Sequence, residues 1–577
     1  MTRLPLFAAW RLARQSGYDG RALRGDIAAG LTVGIIAIPL AMALAIAVGV
    51  APQHGLYTVL IAAPLIALTG GSRFNVSGPT AAFVVILLPI TQSFGLGGLL
   101  LCTLLAGLIL ITFGLLRAGR LIAYVPYPVT LGFTAGIGIV IATLQLKDLL
   151  GLTLEASPQH YVDQLRLLAL ALPSAQAGDA LVAGVCLAVL IAWPRLVPKV
   201  PGHLVALTAG ALAGLVLEAL GLSVATLGER FSYSLDGISH PGLPPMLPSF
   251  TWPWLLPGPD GQPLVLSFEL LRQLLAPAFA IAMLGAIESL LCAVVADGMT
   301  GSTHDPNAEL IGQGIGNLVA PLFGGITATA AIARTAANVR AGAFSPLAAI
   351  THAGVVLVAI LWLAPLFSYL PMAALAALLL MVAWNMSEAP HVLRTLRIAP
   401  RGDVLVLVTC LVLTVLFDMV LAVGVGLLLA AGLFIKRMGE LTGTTSLRHG
   451  RTDGFPDLPA HVAAYAIRGP LFFGAVEKAL GALRRFNPEI RVVIVDISEV
   501  PLLDMTALAA LEDLLLEYRR QGIALILCGT SASVRLKLRR AGIHRLPGRL
   551  HYVRDRGQAR NRALHLVSET TAGEPAG

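Results

Sequence analysis

Two charged residues stand inside apolar segments: Glu288 in PAFAIAMLGAIESLLCAVVADGMTG and Arg334 in FGGITATAAIARTAANVRAG. At bilayer depth such a side chain costs ~2.5–3.5 kcal/mol on insertion scales and marks an ion or proton path. Glu288 reads either as a proton carrier or as a carboxylate that pairs with Arg334 to hold two helices. Arg334, in turn, neutralises either an anionic substrate or that glutamate. The stretch 323–342 is small, polar and Gly-rich in its first half. Irregular backbone at that depth survives only when buried in protein or lining a wet cavity, so a broken helix with its N-terminal end facing an anion is expected. The stretch GGSRFNVSGPTAAF at 70–83 offers a counterpart. Pro79 and Thr80 after Gly78 suit a first helical turn whose free N–H groups point at substrate; the plainer reading is a loop before an ordinary helix.

Other candidates carry less. The GGI run at 324–326 serves helix packing equally well, and His54, His203 and His352 show no ligand spacing. Asp297 reads as a solvated helix terminus and Asp418 as interfacial. Thr506, in LLDMTAL, reads as a cap for the helix that follows. The five cysteines show no CxxC spacing, so neither a disulfide nor a metal site is expected. No nucleophile–base pair, P-loop or dinucleotide fingerprint appears, so no catalytic residue, cofactor or enzyme activity is expected.

The elements that must position Glu288 and Arg334 are membrane helices. Of 577 residues, 56% are hydrophobic and 12% charged, with a mean hydropathy of +0.81; a soluble domain carries about 25% charged residues. Apolar segments fall at 27–49, 55–70, 78–93, 96–116, 126–146, 178–194 and 203–221. After a polar, Pro-rich stretch they resume at 270–296, 307–322, 329–340, 344–367, 371–386, 403–418 and 420–436. Seven plus seven predicts fourteen spans in an inverted repeat, with the short third and tenth as half-helices around a shared site. The net charge of +8 lies in short loops, which is a positive-inside signal rather than a nucleic-acid patch. Residues 1–26 read as a cytoplasmic N-terminal segment, 27–437 as the transmembrane domain and 438–457 as a linker. The stretch 458–555 alternates strand-like and helical runs as a soluble α/β domain does, and 556–577 reads as a disordered tail. Both termini then lie in the cytoplasm.

The runs IPLAMALAIAVGVAPQHGLYT, TGGSRFNVSGPT and FGGITATAAIARTAANVRAG, with the Glu288 helix and the α/β tail, resemble the SulP family of anion transporters; the tail looks like its STAS domain. The segments MLGAIESLLCAVV, ADGMTG and MVAWNMSEA look closest to that family's four-carbon dicarboxylate carriers. The resemblance implies a core domain and a gate domain, a homodimer, and an anion site between the third and tenth helices, flanked by the first and eighth. Carried over, the substrate site holds Leu40, Leu44, Gly78, Pro79, Thr80, Ala331, Ile332, Ala333 and Arg334, with Glu288 coupling protons. Many members have glutamine where this chain has Leu40. Sodium-coupled bicarbonate members have aspartate at the position of Glu288 and threonine at that of Cys292. Thr506 falls where related domains carry a phosphorylated residue.

The expected activity is therefore proton-coupled uptake of a small dicarboxylate such as succinate or fumarate, with aspartate a further candidate, across a bacterial cytoplasmic membrane. The expected partners are the anion, protons, lipid and a soluble regulator at the STAS domain, with no nucleic acid. The rivals are sulfate or bicarbonate transport and, from another class, a membrane-anchored sensor that signals through the tail.

Overall fold

The structure, a computed structural model, describes residues 7–120, 125–154, 161–197, 200–235, 238–417, 419–447, 455, 458–484 and 489–571. The expectation for Asp418 lies outside them. The chain divides into two compact units, one ending at Leu427 and the other starting at Leu428.

The first unit opens with an amphipathic helix α1 (Ala8–Gln15), followed by α2 (Gly20–Ala47) and α3 (Gln53–Thr69). The long helix α2 starts at Gly20, inside the expected N-terminal segment, because the Asp19 carboxylate caps it by accepting from the N–H groups of Arg21 and Ala22. A two-residue strand β1 (Ser77–Gly78) and a 3-10 turn (Ala81–Phe83) lead into α4 (Val84–Leu115). Inside α4 the chain turns at Gly95, with φ 67° and ψ −172°. A Cβ there would lie 2.4 Å from the Gly258 carbonyl carbon, so only glycine fits, and the expected third and fourth segments meet at this bend.

Next come α5 (Tyr127–Leu149), α6 (Tyr161–Ala171), α7 (Ala177–Leu196), α8 (Gly202–Ala219), α9 (Leu227–Arg230) and a hairpin of β2 (Ser232–Leu235) and β3 (Ile238–Pro241). The helix of Glu288 is α10 (Phe268–Thr300), followed by α11 (Pro306–Val319), strand β4 (Thr329–Ala330) and α12 (Ile332–Arg340), the helix of Arg334. The unit ends with α13 (Leu347–Val358), α14 (Ala364–Phe367), α15 (Met372–Ser387), α16 (Ala389–Ile398) and α17 (Arg401–Leu416); α18 (Met419–Leu441) runs across the division. Among the described residues nine helices are long and apolar enough to cross a membrane, and Gln53–Thr69 is a shorter apolar helix.

The helices gather into two groups. Helices α2, α3, α4 and α10 to α13 pack on one another, while α5, α7, α8, α15 and α17 form a second group, with α15 touching α2. Small residues let α11 approach its neighbours closely, as membrane helices require. A Cβ on Gly312 would lie 2.6 Å from the Gly70 Cα, and one on Gly314 would lie 2.7 Å from the Gly107 oxygen.

The second unit is a five-stranded sheet in the order β5 (Gly443–Ser446), β6 (Val462–Arg468), β7 (Val492–Glu499), β8 (Ala524–Cys528), β9 (Leu550–Val553). The pair β5–β6 is antiparallel and the rest are parallel. Helices α19 (Val476–Gly481), α20 (Met505–Arg520) and α21 (Ala532–Arg540) bury Leu480, Leu511, Leu514 and Leu538 on one face. On the other face α22 (Arg556–Thr571) buries Ala559, Ala563 and Leu566 against Val492, Ile494 and Ile526. The expected disordered tail is thus a helix through Thr571, because those three residues form an apolar stripe that covers the sheet. Part of the expected linker is likewise ordered, since Gly443–Ser446 pairs with Tyr465–Arg468. Asp504, not Thr506, caps α20: its carboxylate accepts from the Ala507 N–H at 2.8 Å, which leaves Thr506 exposed in the first turn.

Candidate functional site

The two stretches singled out in the sequence meet. Strands β1 and β4 pair antiparallel, Ser77 opposite Ala330 and Gly78 opposite Thr329, and the Ala331 N–H adds a bond of 3.1 Å to the Val76 carbonyl. Each strand runs straight into a helix, so the two helices leave from opposite ends of a short ladder with their N-terminal ends closest to it. Neither Thr80 nor Ala331 turns a side chain onto the first-turn amides that follow. Each N-terminus contributes about half a positive charge.

Both ionisable residues attach to this junction on consecutive residues. The Thr80 hydroxyl donates to Glu288 Oε2 at 3.0 Å, and Arg334 Nη2 donates to the Pro79 carbonyl at 2.6 Å. No ion pair joins Arg334 to Glu288 among the described residues; the hydrogen bonds of the two side chains run to Pro79 and Thr80. Its Nη1 is buried with no hydrogen-bond partner among the described residues, and the residue is 4% exposed. Gly78 makes room for it: a Cβ there would lie 2.6 Å from Nη1. A buried guanidinium N–H left unpaired costs free energy, and a bound anion would remove that cost.

The remaining expected site residues fall around this centre with different exposure. Pro79 and Thr80 are buried, Glu288 and Ala331 half-buried, Ile332 and Ala333 exposed. Leu40 and Leu44 lie on α2, half-buried and buried respectively, and α2 packs against α12.

Supporting residues outside the expected set complete the junction. The Thr335 hydroxyl accepts from the Val76 N–H at 3.0 Å and from the Cys292 thiol at 3.0 Å, and Thr329 donates to the Gly285 carbonyl at 3.1 Å. The Glu309 carboxylate accepts from the Gly71 and Ser72 N–H groups at 3.0 Å each, from Asn75 Nδ2 at 2.8 Å and from Gln313 Nε2 at 3.1 Å. The sequence does not single out Glu309, because it sits three residues after Pro306 and passes for an ordinary acidic first turn. Its signal is the spacing Glu309, Gln313, Asn317 inside an apolar segment. Asp297 is not merely solvated: its carboxylate accepts from Ser302 Oγ and the His304 N–H and meets His304 Nδ1 at 2.7 Å. His54, given no role above, meets the Gly324 carbonyl through Nδ1 at 2.7 Å. Among the described residues no group of three or more His, Cys, Asp or Glu could hold a metal ion.

Comparison with known proteins agrees with this architecture. The sulfate permease family matches residues 23–410 and the STAS domain residues 457–556. The chain is 38% identical to the putative sulfate transporter YvdB of Bacillus subtilis, over 93% of this chain and 97% of that one. It is 32% identical to the bicarbonate transporter BicA of a Picosynechococcus species, over 90% of each. Among solved structures, SLC26A9 superposes with a TM-score of 0.81 at 17% identity, covering 97% of this chain and 93% of that one, which shows the fold. The transmembrane domain of a cyanobacterial BicA superposes with a TM-score of 0.59 at 31% identity, covering 72% of this chain and 99% of that chain.

Proposed function

Starting from a chain that belongs to the sulfate permease family of anion transporters and carries a STAS domain, we propose that it takes up a four-carbon dicarboxylate together with protons. The observation that carries this reading is the unpartnered Nη1 of buried Arg334, set between two helix N-termini. Two half charges and one full charge suit a dianion such as succinate or fumarate. The leucines at 40 and 44, where the family resemblance places the flank of the site, favour an anion with a carbon skeleton over one that is oxygen on every side.

Glu288, bonded to Thr80 one residue from the Arg334 anchor, is the proton carrier in this reading. A proton on Glu288 removes a negative charge beside the incoming dianion, so proton and substrate load together. The core helices α2 to α4 and α10 to α13 then move past the second group in an elevator-like step. Fourteen spans in two inverted halves, a homodimer, both termini in the cytoplasm of a bacterium and a soluble partner for the STAS domain complete the proposal. The antiparallel pairing of β1 with β4 supports the inverted relation of the halves.

A second reading, transport of sulfate or bicarbonate, is favoured by the names of the relatives. A competition panel separates the two. Uptake of radiolabelled succinate by proteoliposomes holding the purified protein is measured against excess unlabelled succinate, fumarate, aspartate, sulfate or bicarbonate. The dicarboxylate reading predicts uptake that fumarate suppresses and that sulfate and bicarbonate leave unchanged. No succinate uptake, with labelled sulfate or bicarbonate accumulating instead, sinks it.

A further inference from the structure

Three polar residues recur at every fourth position of α11: Glu309 (1% exposed), Gln313 (0%) and Asn317 (0%). At that spacing they share one stripe of the helix. Each reaches a different part of the site. Glu309 holds Gly71, Ser72 and Asn75, on the approach to the first half-helix. Gln313 Nε2 donates to the Ser77 hydroxyl of β1 at 3.1 Å. Asn317 clasps Ala328, just before β4, donating to its carbonyl at 2.7 Å and accepting from its N–H at 2.8 Å. Asn75 extends the network to the carbonyl of Ser289, the neighbour of Glu288, at 3.2 Å.

A strand pair two residues long cannot hold its own register in the way a long sheet does. An α-helix rises 1.5 Å per residue and is stiff, so the eight steps from Glu309 to Asn317 mark off about 12 Å. Burying polar groups is costly unless each is bonded; here Gln313 Oε1 and Asn75 Oδ1 have no partner among the described residues, and the bonds that are made run to the approaches of both half-helices. We propose that Glu309, Gln313 and Asn317 are positioning residues for transport: a ruler on α11 that sets the two half-helix starts, and through Asn75 the backbone beside Glu288, at fixed spacing. The inference rests on the reading of that junction as an anion site and adds residues that touch neither anion nor proton.

The test uses the full chain with Ser77→Cys and Ala330→Cys, which face one another across the ladder; this background gives up the Ser77 hydroxyl that Gln313 meets, so the stripe is probed at its two ends, Glu309 and Asn317. Disulfide yield after mild oxidation is read by mass spectrometry of the linked peptides. The affinity for sodium succinate and sodium sulfate is read by thermal shift. Adding Asn317→Leu or Glu309→Gln is expected to lower the cross-link yield and to weaken anion affinity on the order of tenfold or more. Once formed, the cross-link is expected to restore affinity to Asn317→Leu, a rescue that a merely structural role would not give. The milder Asn317→Asp, which keeps an acceptor for the Ala328 N–H, carries the test if the others fail to fold. Unchanged yield and affinity in a folded variant overturn the proposal. A lowered yield in a protein that binds neither anion, even with the stripe intact, upholds the ruler and removes the anion-site reading instead.

Discussion

In the proposed mechanism Arg334 is anchored through Nη2 to the Pro79 carbonyl, and its buried Nη1, without a partner among the described residues, is the atom that meets the anion. Had it been a helix clamp, the two charges would have met each other; they meet Pro79 and Thr80. Lysine at this position keeps the charge but loses the planar fork. Arg334→Lys is therefore expected to raise the KM for substrate roughly tenfold or more, because one ammonium cannot hold the Pro79 carbonyl and an anion in the same geometry. Gly78→Ala is expected to act in the same direction by crowding Nη1. Initial uptake rates against substrate concentration check both, and wild-type KM in either variant would return Arg334 to a structural role. The residue types at 77–80, 288 and 331–334 were readable because charge and proline are conspicuous in an apolar chain. Glu309 was not, because a buried carboxylate bonded to four donors has the same letter as a solvated one.

At the scale of elements, the sequence signalled the two half-helices through glycine, proline and segments too short to span. It carried no signal for the β1–β4 pairing, which is made of backbone groups and two residues per strand. The last helix was missed for a different reason. In α22 (Arg556–Thr571) the stripe of Ala559, Ala563 and Leu566 is narrow among arginines, and only the exposed face of the sheet reveals why the chain folds there. Beneath that side of the sheet lies His551 of β9, opposite Ile526. It is 2% exposed, and neither ring nitrogen has a partner among the described residues. Burial, reinforced by Arg562 and Arg545 and opposed by Glu569, holds its imidazole below the usual histidine range. The unfolded chain then binds the proton more readily than the folded one, so stability is full above about pH 6.5 and is lost as pH falls through the folded value. Asp496 behaves differently. Burial alone would raise its carboxyl, but bonds from Ser498 and Arg556 prevail and hold it below the usual carboxylate range, so its contribution persists until more acid conditions. Thermal melting of the second unit is accordingly expected to fall between pH 7 and pH 5 and to flatten in His551→Leu. A slope of equal size in that variant would assign the effect elsewhere.

At the scale of the molecule, two groups of helices and a five-stranded domain share one chain, and a junction in the first group gathers Thr80, Glu309, Gln313, Asn317, Arg334 and Thr335 as buried polar groups. A membrane anchor has no use for that arrangement, whereas a transporter requires a site that an ion can reach and leave. In the proposed mechanism Glu288 couples protons to anion movement at this junction. That coupling is tested most directly by succinate accumulation in proteoliposomes under an imposed proton gradient, wild type against Glu288→Gln. Proton coupling through Glu288 predicts gradient-driven accumulation in the wild type, and in the variant exchange of succinate across the membrane without gradient-driven accumulation. Accumulation in Glu288→Gln that follows the proton gradient as it does in the wild type would contradict it.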